Sequence, residues 1–322
     1  MGAVIDMSVD DSGSEATASG VARASAHLRD LLSTPGPYRE AWLRYSERWR
    51  GGLHQAAIAA VLSTHLWETG RVSDSDTVLP RRLKDRVSRS LSGRTLSPSM
   101  LRLFIDAFEI ADEEARQLWT LLLDDGSNAP VIAPTTPLSG EAGRVHSHGY
   151  ETLAVHDFHR IGADRFPVEH RTVQVIRATE GLETFQLRFD TDAAAVQVLR
   201  GGRAAGLTPS GVPGQHAVDV ALTQPLRPGE TASLEYRLVF AYRELPEPVM
   251  RRLVPDEGTD AQVHVTFDPT ALPVRVEWCQ WKADRLGMDQ ISAEVVLPNR
   301  EGEVHRYVSS SRGTGVGFRW AW

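Results

Sequence analysis

The hydrophobic spacing of this 322-residue chain changes period once, and that change dictates two different kinds of structure. From Tyr38 to Leu123 apolar residues recur every three or four positions, as they do along one side of an α-helix. Trp42, Tyr45 and Trp49 form the first row, and Leu53, Ala57, Ile58, Val61 and Leu62 the next, after Gly51-Gly52. Ser97-Pro98 stands in the order N-cap then N1, with Leu101, Phe104, Ile105 and Phe108 facing inward. Asp112-Glu113-Glu114 puts acids at a further helix start, where the helix dipole favours them. Beyond Tyr150 the period becomes two. Val173/Val175, Phe185/Leu187/Phe189, Val218/Val220/Leu222, Leu234/Tyr236/Leu238/Phe240 and Val263/Val265/Phe267 each alternate with polar residues, and glycine or proline turns separate them. One-sided strands without intervening helices predict an antiparallel β-sandwich. The fold class expected is α + β in two domains, the first all-α and the second all-β.

Boundaries follow from composition. Residues 1–18 are rich in Ser, Asp, Gly and Ala and predict a disordered tail. Residues 19–123 form the helical domain; within it Val21–Leu32 reads as a helix stopped by Pro35-Gly36-Pro37. Residues 124–150, with Gly126, Pro130, Pro134, Pro137 and Gly140, read as a linker, and 151–322 as the β-domain. Hydrophobic content of 41% and charged content of 24% suit a globular protein. No apolar run approaches the ~20 residues that span a bilayer, and the N-terminus lacks the basic flank of a signal peptide. A cytosolic protein without membrane contact is expected. The single cysteine, Cys279, excludes an intramolecular disulfide and a cysteine-based zinc site.

Charge is concentrated in one place. Arg81, Arg82, Lys84, Arg86, Arg89 and Arg94 against Asp85 give residues 81–94 a net +5, in a chain whose total is −7. Leu83, Val87 and Leu91 recur every four residues in the same stretch, so the segment predicts a helix with an apolar back and an arginine front. Such a helix suits the major groove of DNA. The preference for arginine over lysine, 33 to 2, carries no such meaning by itself; only the placement does.

Two sequences within the helical domain resemble a known family. Gly52-Leu53-His54-Gln55-Ala56-Ala57-Ile58-Ala59-Ala60-Val61-Leu62 is similar to the second helix of XRE-type (lambda-repressor-like) helix-turn-helix proteins. Arg86-Val87-Ser88-Arg89-Ser90-Leu91-Ser92-Gly93-Arg94 resembles their recognition helix and the turn after it. The resemblance covers residues 38–123 and departs from the family at His65–Pro80, which stands where the family has a tight turn. It implies a helix-turn-helix bundle and a transcriptional regulator whose partner is double-stranded DNA. Arg81, Arg82, Lys84, Arg86, Ser88 and Arg89 would lie on or near the reading helix, with Gln55, Arg94 and Thr95 on flanking phosphates. It also implies a homodimer on two half-sites. The β-domain would then sense a ligand or partner, or mediate dimerisation. The alternative is an adaptor whose helical domain docks a protein.

Other constellations point nowhere specific. His146, His148, His156, His159 and His170 lack an accompanying cysteine or a His-Glu-x-x-His spacing, and no metal or other cofactor is expected. Gly313-Thr314-Gly315-Val316-Gly317 has no helix after it to form a phosphate site, so it reads as a turn before a last strand. Trp278, Trp320 and Trp322 fall on inward positions, whereas Trp281 is out of phase and predicts an exposed interface residue. No nucleophile elbow or paired catalytic signature is present, and no enzyme and no catalytic residue are expected.

Overall fold

The computed structural model describes residues 12–46, 51–124, 128–133, 149–190, 193–210, 215–254, 259–284, 287–309 and 314–322. Its contacts divide the chain into two compact units, Met1–Ala129 and Pro130–Trp322. The chain is α + β, with several antiparallel sheets.

The described residues of unit 1 form the helices α1 (Ser12–Ser33), α2 (Pro37–Leu43), α3 (Gln55–Glu68), α4 (Leu79–Leu91), α5 (Pro98–Phe108) and α6 (Asp112–Leu123). Helix α1 begins inside the stretch expected to be a tail, of which residues 1–11 lie outside the described residues, as does Trp49. Local chemistry sets several ends. The Ser97 hydroxyl accepts from the Met100 N–H at 3.2 Å and caps α5. His54 Nδ1 accepts from Ala57 N–H at 3.0 Å and caps α3, a role no sequence pattern announces. Gly93, at φ +75°, takes the left-handed turn just past α4. Helix α1 packs on α6, and α3 on α4 and α5, around Leu28, Leu32, Trp42, Ile58, Leu62, Val87, Leu101, Phe104 and Leu118.

Unit 2 is built of strands: β1 (Val131–Ile132), β2 (Tyr150–Ile161), β3 (Pro167–Ala178), β4 (Leu182–Asp190), β5 (Ala193–Arg200), β6 (Gly202–Pro209), β7 (Gln215–Leu226), β8 (Thr231–Phe240), β9 (Val249–Val254), β10 (Asp260–Phe267), β11 (Arg275–Asp284), β12 (Gly287–Val296), β13 (Glu303–Ser309) and β14 (Thr314–Ala321). They form a seven-stranded sheet in the order β1-β5-β8-β3-β2-β10-β13, a four-stranded sheet β12-β11-β14-β9 and a three-stranded sheet β4-β7-β6. The expectation of a purely antiparallel pair of layers is corrected in two ways. Among the described residues there are three sheets, and β2 runs parallel to β10, with Ala154 opposite Asp260 and Ile161 opposite Phe267. Strand β1 lies inside the stretch read as a linker and pairs with β5.

Two hydrophobic clusters hold the sheets together. One joins β2, β10 and β13 to β9, β11 and β14 through Val155, Val263, Phe267, Trp278, Phe318 and Trp320. The other joins β3, β5 and β8 to β4 and β7 through Ile176, Phe185, Leu187, Val196, Val218 and Tyr236. The two smaller sheets thus cover different strips of the large one.

Three phase readings change. On β3 the buried positions are Pro167, Thr172, Ile176 and Ala178, with Val173 and Val175 only half-buried, so the valines do not mark its inward face. Trp281 is 4% exposed rather than an interface residue, because it shares a face of β11 with buried Cys279 and that face is covered as well. The Arg251 guanidinium lies over its ring, 5.4 Å from the centroid. Gly315 and Gly317 sit within β14 rather than in a turn before it. Gly317 faces Arg251 of β9, and a Cβ there would meet the Met250 carbonyl oxygen at 1.9 Å, so only glycine lets the two strands approach.

Candidate functional site

The residues expected to contact DNA are gathered on and beside α4. Leu83, Val87 and Leu91 are buried, as the stripe predicts, while Arg81, Arg82, Lys84 and Arg89 are exposed, and Arg86 and Ser88 half-buried. Arg94 and Thr95 are exposed in the turn that follows, and half-buried Gln55 is the first residue of α3. The arginine face is not a free cationic surface. Arg82 forms an ion pair with Asp76 from the acidic loop between α3 and α4, and Arg89 Nε turns back to the Asp85 carbonyl at 3.4 Å.

Unit 2 carries a site that periodicity did not show. A strip of the seven-stranded sheet runs between its two covering sheets. The strip ends at two strand edges, β4 on one side and β9 on the other, each without a second neighbouring strand among the described residues. Facing this strip, a cavity of about 470 Å³ is lined by Tyr150, Thr152 and Val155 of β2, Gln174 of β3 and Tyr236 of β8. Phe185, Gln186, Leu187 and Arg188 of β4 wall one side, and Arg252 and Leu253 of β9 the other. Its size falls in the roughly 300–1,000 Å³ range of small-molecule sites.

Alternation explains why polar groups lie here. Asp157 and His159 share the inward face of β2 with Val155 and Ile161, and across the sheet Asp157 stands opposite Thr172, which stands opposite Tyr236. A sheet face without a covering sheet can carry polar side chains, provided they bond one another. These do. Gln174 Nε2 donates to Thr152 Oγ1 at 2.9 Å, and the Tyr236 hydroxyl donates to Gln174 Oε1 at 3.2 Å. Beside them, Asp157 accepts from Thr172 Oγ1 at 2.8 Å, contacts His170 Nε2 at 2.9 Å and binds Arg252 through two guanidinium nitrogens. The amide floor and the ion pair are therefore fixed before anything binds.

Electrostatics follow burial and pairing. Burial alone would push the Asp157 carboxyl up, but the Arg252 charge, then His170 and the hydrogen bonds, hold it well below the usual carboxylate range. For Arg252 burial works against the charge, and Asp157 more than offsets it, so the guanidinium keeps its proton even more firmly than usual. His159, packed against His170, Phe240 and Trp320, is lowered to about 3, first by burial and then by His170, with Asp157 opposing. Burial raises the Tyr236 phenol. The site at neutral pH thus holds ionised Asp157, charged Arg252, neutral His159 and a protonated Tyr236.

Two features select a ligand. Tyr150, Phe185 and Tyr236 form an aromatic row, with neighbouring ring centroids 5.3 and 6.2 Å apart. Arg188 donates Nε to Gln186 Oε1 at 3.0 Å, and among the described residues its other N–H groups have no partner. Among the described residues no three His, Cys, Asp or Glu side chains gather as a metal would require; His146 and His148 lie outside them. Likewise no helix there is long and apolar enough to cross a membrane.

No protein-family model matches the chain, and no curated protein sequence matches it. Among solved structures it is similar to a candidate protease from Parabacteroides distasonis, at 13% identity and TM-score 0.35, covering 54% of this chain and 40% of that one. It is also similar to an M1 zinc metallopeptidase from Deinococcus radiodurans, at 15% identity and TM-score 0.29, covering 53% of this chain and 42% of the other. The chain thus spans well under half the length of these proteins. They are peptidases rather than DNA-binding regulators, and that finding corrects the expectations of a DNA-binding transcriptional regulator, of double-stranded DNA as partner and of a chain that is no enzyme. A likeness this slight assigns no activity of its own.

Proposed function

We propose that unit 2 is a receptor for a small anionic ligand with an aromatic portion, held in the cleft between β4 and β9. The observation that carries this reading is the cavity itself, which combines a prearranged amide and hydroxyl floor, an aromatic row and the Arg188 guanidinium at one wall. An aromatic ring would pack on Tyr150, Phe185 and Tyr236, and a carboxylate would take the forked donors of Arg188. Preorganisation supports the reading too, because a floor already bonded within itself loses little freedom on binding. On the same reading the chain has two domains, a β-sandwich with the cleft and a helical bundle of XRE-type shape that serves as scaffold. The division at Ala129 supports the first point. The capped start of α5, the acid-headed α6 and the buried stripe of α4 support the second.

Calorimetric titration with benzoate, phenylacetate and 4-hydroxybenzoate, against benzamide as the uncharged control, tests the proposal. The carboxylates should bind and benzamide should not. Arg188→Met should weaken carboxylate binding about tenfold or more, the loss of a charge-assisted hydrogen bond. Absence of binding by all three acids, equal binding of benzamide, or unchanged affinity in R188M would each overturn it.

A further inference from the structure

The walls of the cleft are formed in an uncommon way. On β4 inward-facing Phe185 and Leu187 line the cavity together with outward-facing Gln186 and Arg188. On β9 it is lined by Arg252, which reaches in to Asp157, and by Leu253, which is 44% exposed. Successive residues of a strand point to opposite faces, so neighbours in sequence share one space only where the backbone edge borders it. The cleft therefore lies in the plane of the two covering sheets, as a gap between two strand edges. Both edges are regular there. Phe185–Asp190 pair with Val220–Gln215, and Val249–Val254 with Arg319–Thr314, without a shift; the irregularity of β4 comes earlier, between Leu182 and Thr184. Neither strand contains a proline or a lysine, the residues that commonly guard an edge. The inward charge on β9, Arg252, is already held by Asp157. The two walls also run in opposite senses. β3 ends at Ala178, opposite Tyr150, and Leu182 opens β4 shortly after, so β4 sets out from the Tyr150 end, as β2 does. β9 begins beside Pro248 and Trp320, at the level of His159, and reaches Asp157 with Arg252, so it runs against β2.

We propose that the ligand of this cleft is the carboxyl end of an extended peptide, lying in the gap as an added strand; this rests on the reading of the cleft as a receptor for an aromatic anion. The backbone edges favour a peptide over a small acid. Each strand edge offers N–H and C=O groups, and a peptide laid between two edges bonds to both, its successive N–H groups serving opposite walls. A small acid uses neither. Side chains of the added strand alternate between the floor and solvent, so one of them, if aromatic, packs inward on Tyr150, Phe185 and Tyr236. Arg188 stands three residues beyond Phe185, about 10 Å along the strand, and its Nε turns back toward Gln186. A terminal carboxylate on that guanidinium therefore fixes the direction of the peptide, with β4 and antiparallel to β9. It also places the aromatic residue one or two positions before the carboxyl terminus.

Calorimetry on the full chain compares acetyl-Ala-Ala-Phe-Ala, its carboxamide, the same peptide N-methylated at Phe or at the last Ala, and phenylacetate. The peptide should bind about tenfold or more tightly than phenylacetate. The carboxamide and each N-methylated form should lose about tenfold, the loss of one hydrogen bond or of the charge that strengthens it. Hydrogen exchange gives a second readout: the peptide should slow exchange along β4 at Phe185–Arg188 and along β9 at Arg252 and Leu253, and phenylacetate should not. Phenylacetate binding with no gain from the peptide overturns the added strand and leaves the receptor for aromatic acids standing. Full affinity in both N-methylated peptides, or binding without protection of either edge, does the same. If neither the peptide nor phenylacetate binds, both readings fall.

Discussion

Arg252 on β9 and Asp157 on β2 face each other across the space between two sheets, joined through two guanidinium nitrogens and both carboxylate oxygens. Asp157 is fully buried and the Arg252 side chain is 28% exposed. The pair ties the edge of the four-stranded sheet to the middle of the seven-stranded one, and so fixes one wall of the cleft relative to its floor. Removing Asp157 takes from the Arg252 charge the carboxylate that balances it. Asp157→Leu should therefore destabilise unit 2 by about 3–5 kcal/mol in urea titration, whereas the double change Asp157→Leu with Arg252→Met should recover most of the loss.

Acid should weaken the fold in two separate windows. His159 stays neutral in the folded chain down to about pH 3, while in the unfolded chain it takes a proton near 6.5. The unfolded state thus binds more protons between those values, and stability falls on acidification by about 1.4 kcal/mol per pH unit from this group. Asp157, held low when folded, contributes stability that is complete above its unfolded value near 3.9 and is lost as pH falls below it. Urea midpoints measured from pH 7 to 4 should slope downward, and His159→Leu should flatten that slope. Burial lowers His216 and His264 in the same direction, so part of the slope should remain.

The Tyr236 hydroxyl holds Gln174 in the cleft floor. Tyr236→Phe should cost about 1 kcal/mol of stability, read by thermal unfolding, and should weaken binding of any ligand that uses the Gln174 amide by a similar factor.

On α4 the apolar stripe and the cations should separate cleanly. Leu83→Ala removes a buried side chain and should cost roughly 2–5 kcal/mol, while Arg89→Ala, at an exposed position, should stay within about 0.5 kcal/mol. Chemical denaturation of both variants decides it.

A methyl group at position 317 would strike the Met250 carbonyl. Gly317→Ala should destabilise unit 2 by about 3 kcal/mol or more and displace β9 with Arg252. Gly181→Ala, where a Cβ meets nothing within 4 Å, should be silent in the same measurement.

Where period and packing agree, the chain was readable. The α4 stripe, the Ser97 cap, the acid start of α6 and the inward Trp278 and Trp320 all follow from spacing that burial then enforces. Readings failed where a tertiary neighbour decided the matter. Val173 and Val175 look like the inner face of β3, yet Thr172 and Gln174 face inward, because neither covering sheet lies over that strip. That both faces of β11 are covered, burying Cys279 and Trp281 as well as Trp278, cannot be read from the strand alone. The cleft residues come from β2, β3, β4, β8 and β9, so no local motif joins Asp157 to Arg252 or Arg188 to Tyr236. The one available signal was Asp157 and His159, polar residues in phase with Val155 and Ile161.

The parallel contact between β2 and β10 has a consequence for how the chain is born. A ribosome releases β2 long before β10, roughly a hundred residues later. At translation speeds of about 5–20 residues per second, the β10 side of β2 stays without its neighbour for on the order of ten seconds. During that interval Val155 and Ile161 lack the strands that bury them, and nascent chains crowded on one message would be the first to find each other.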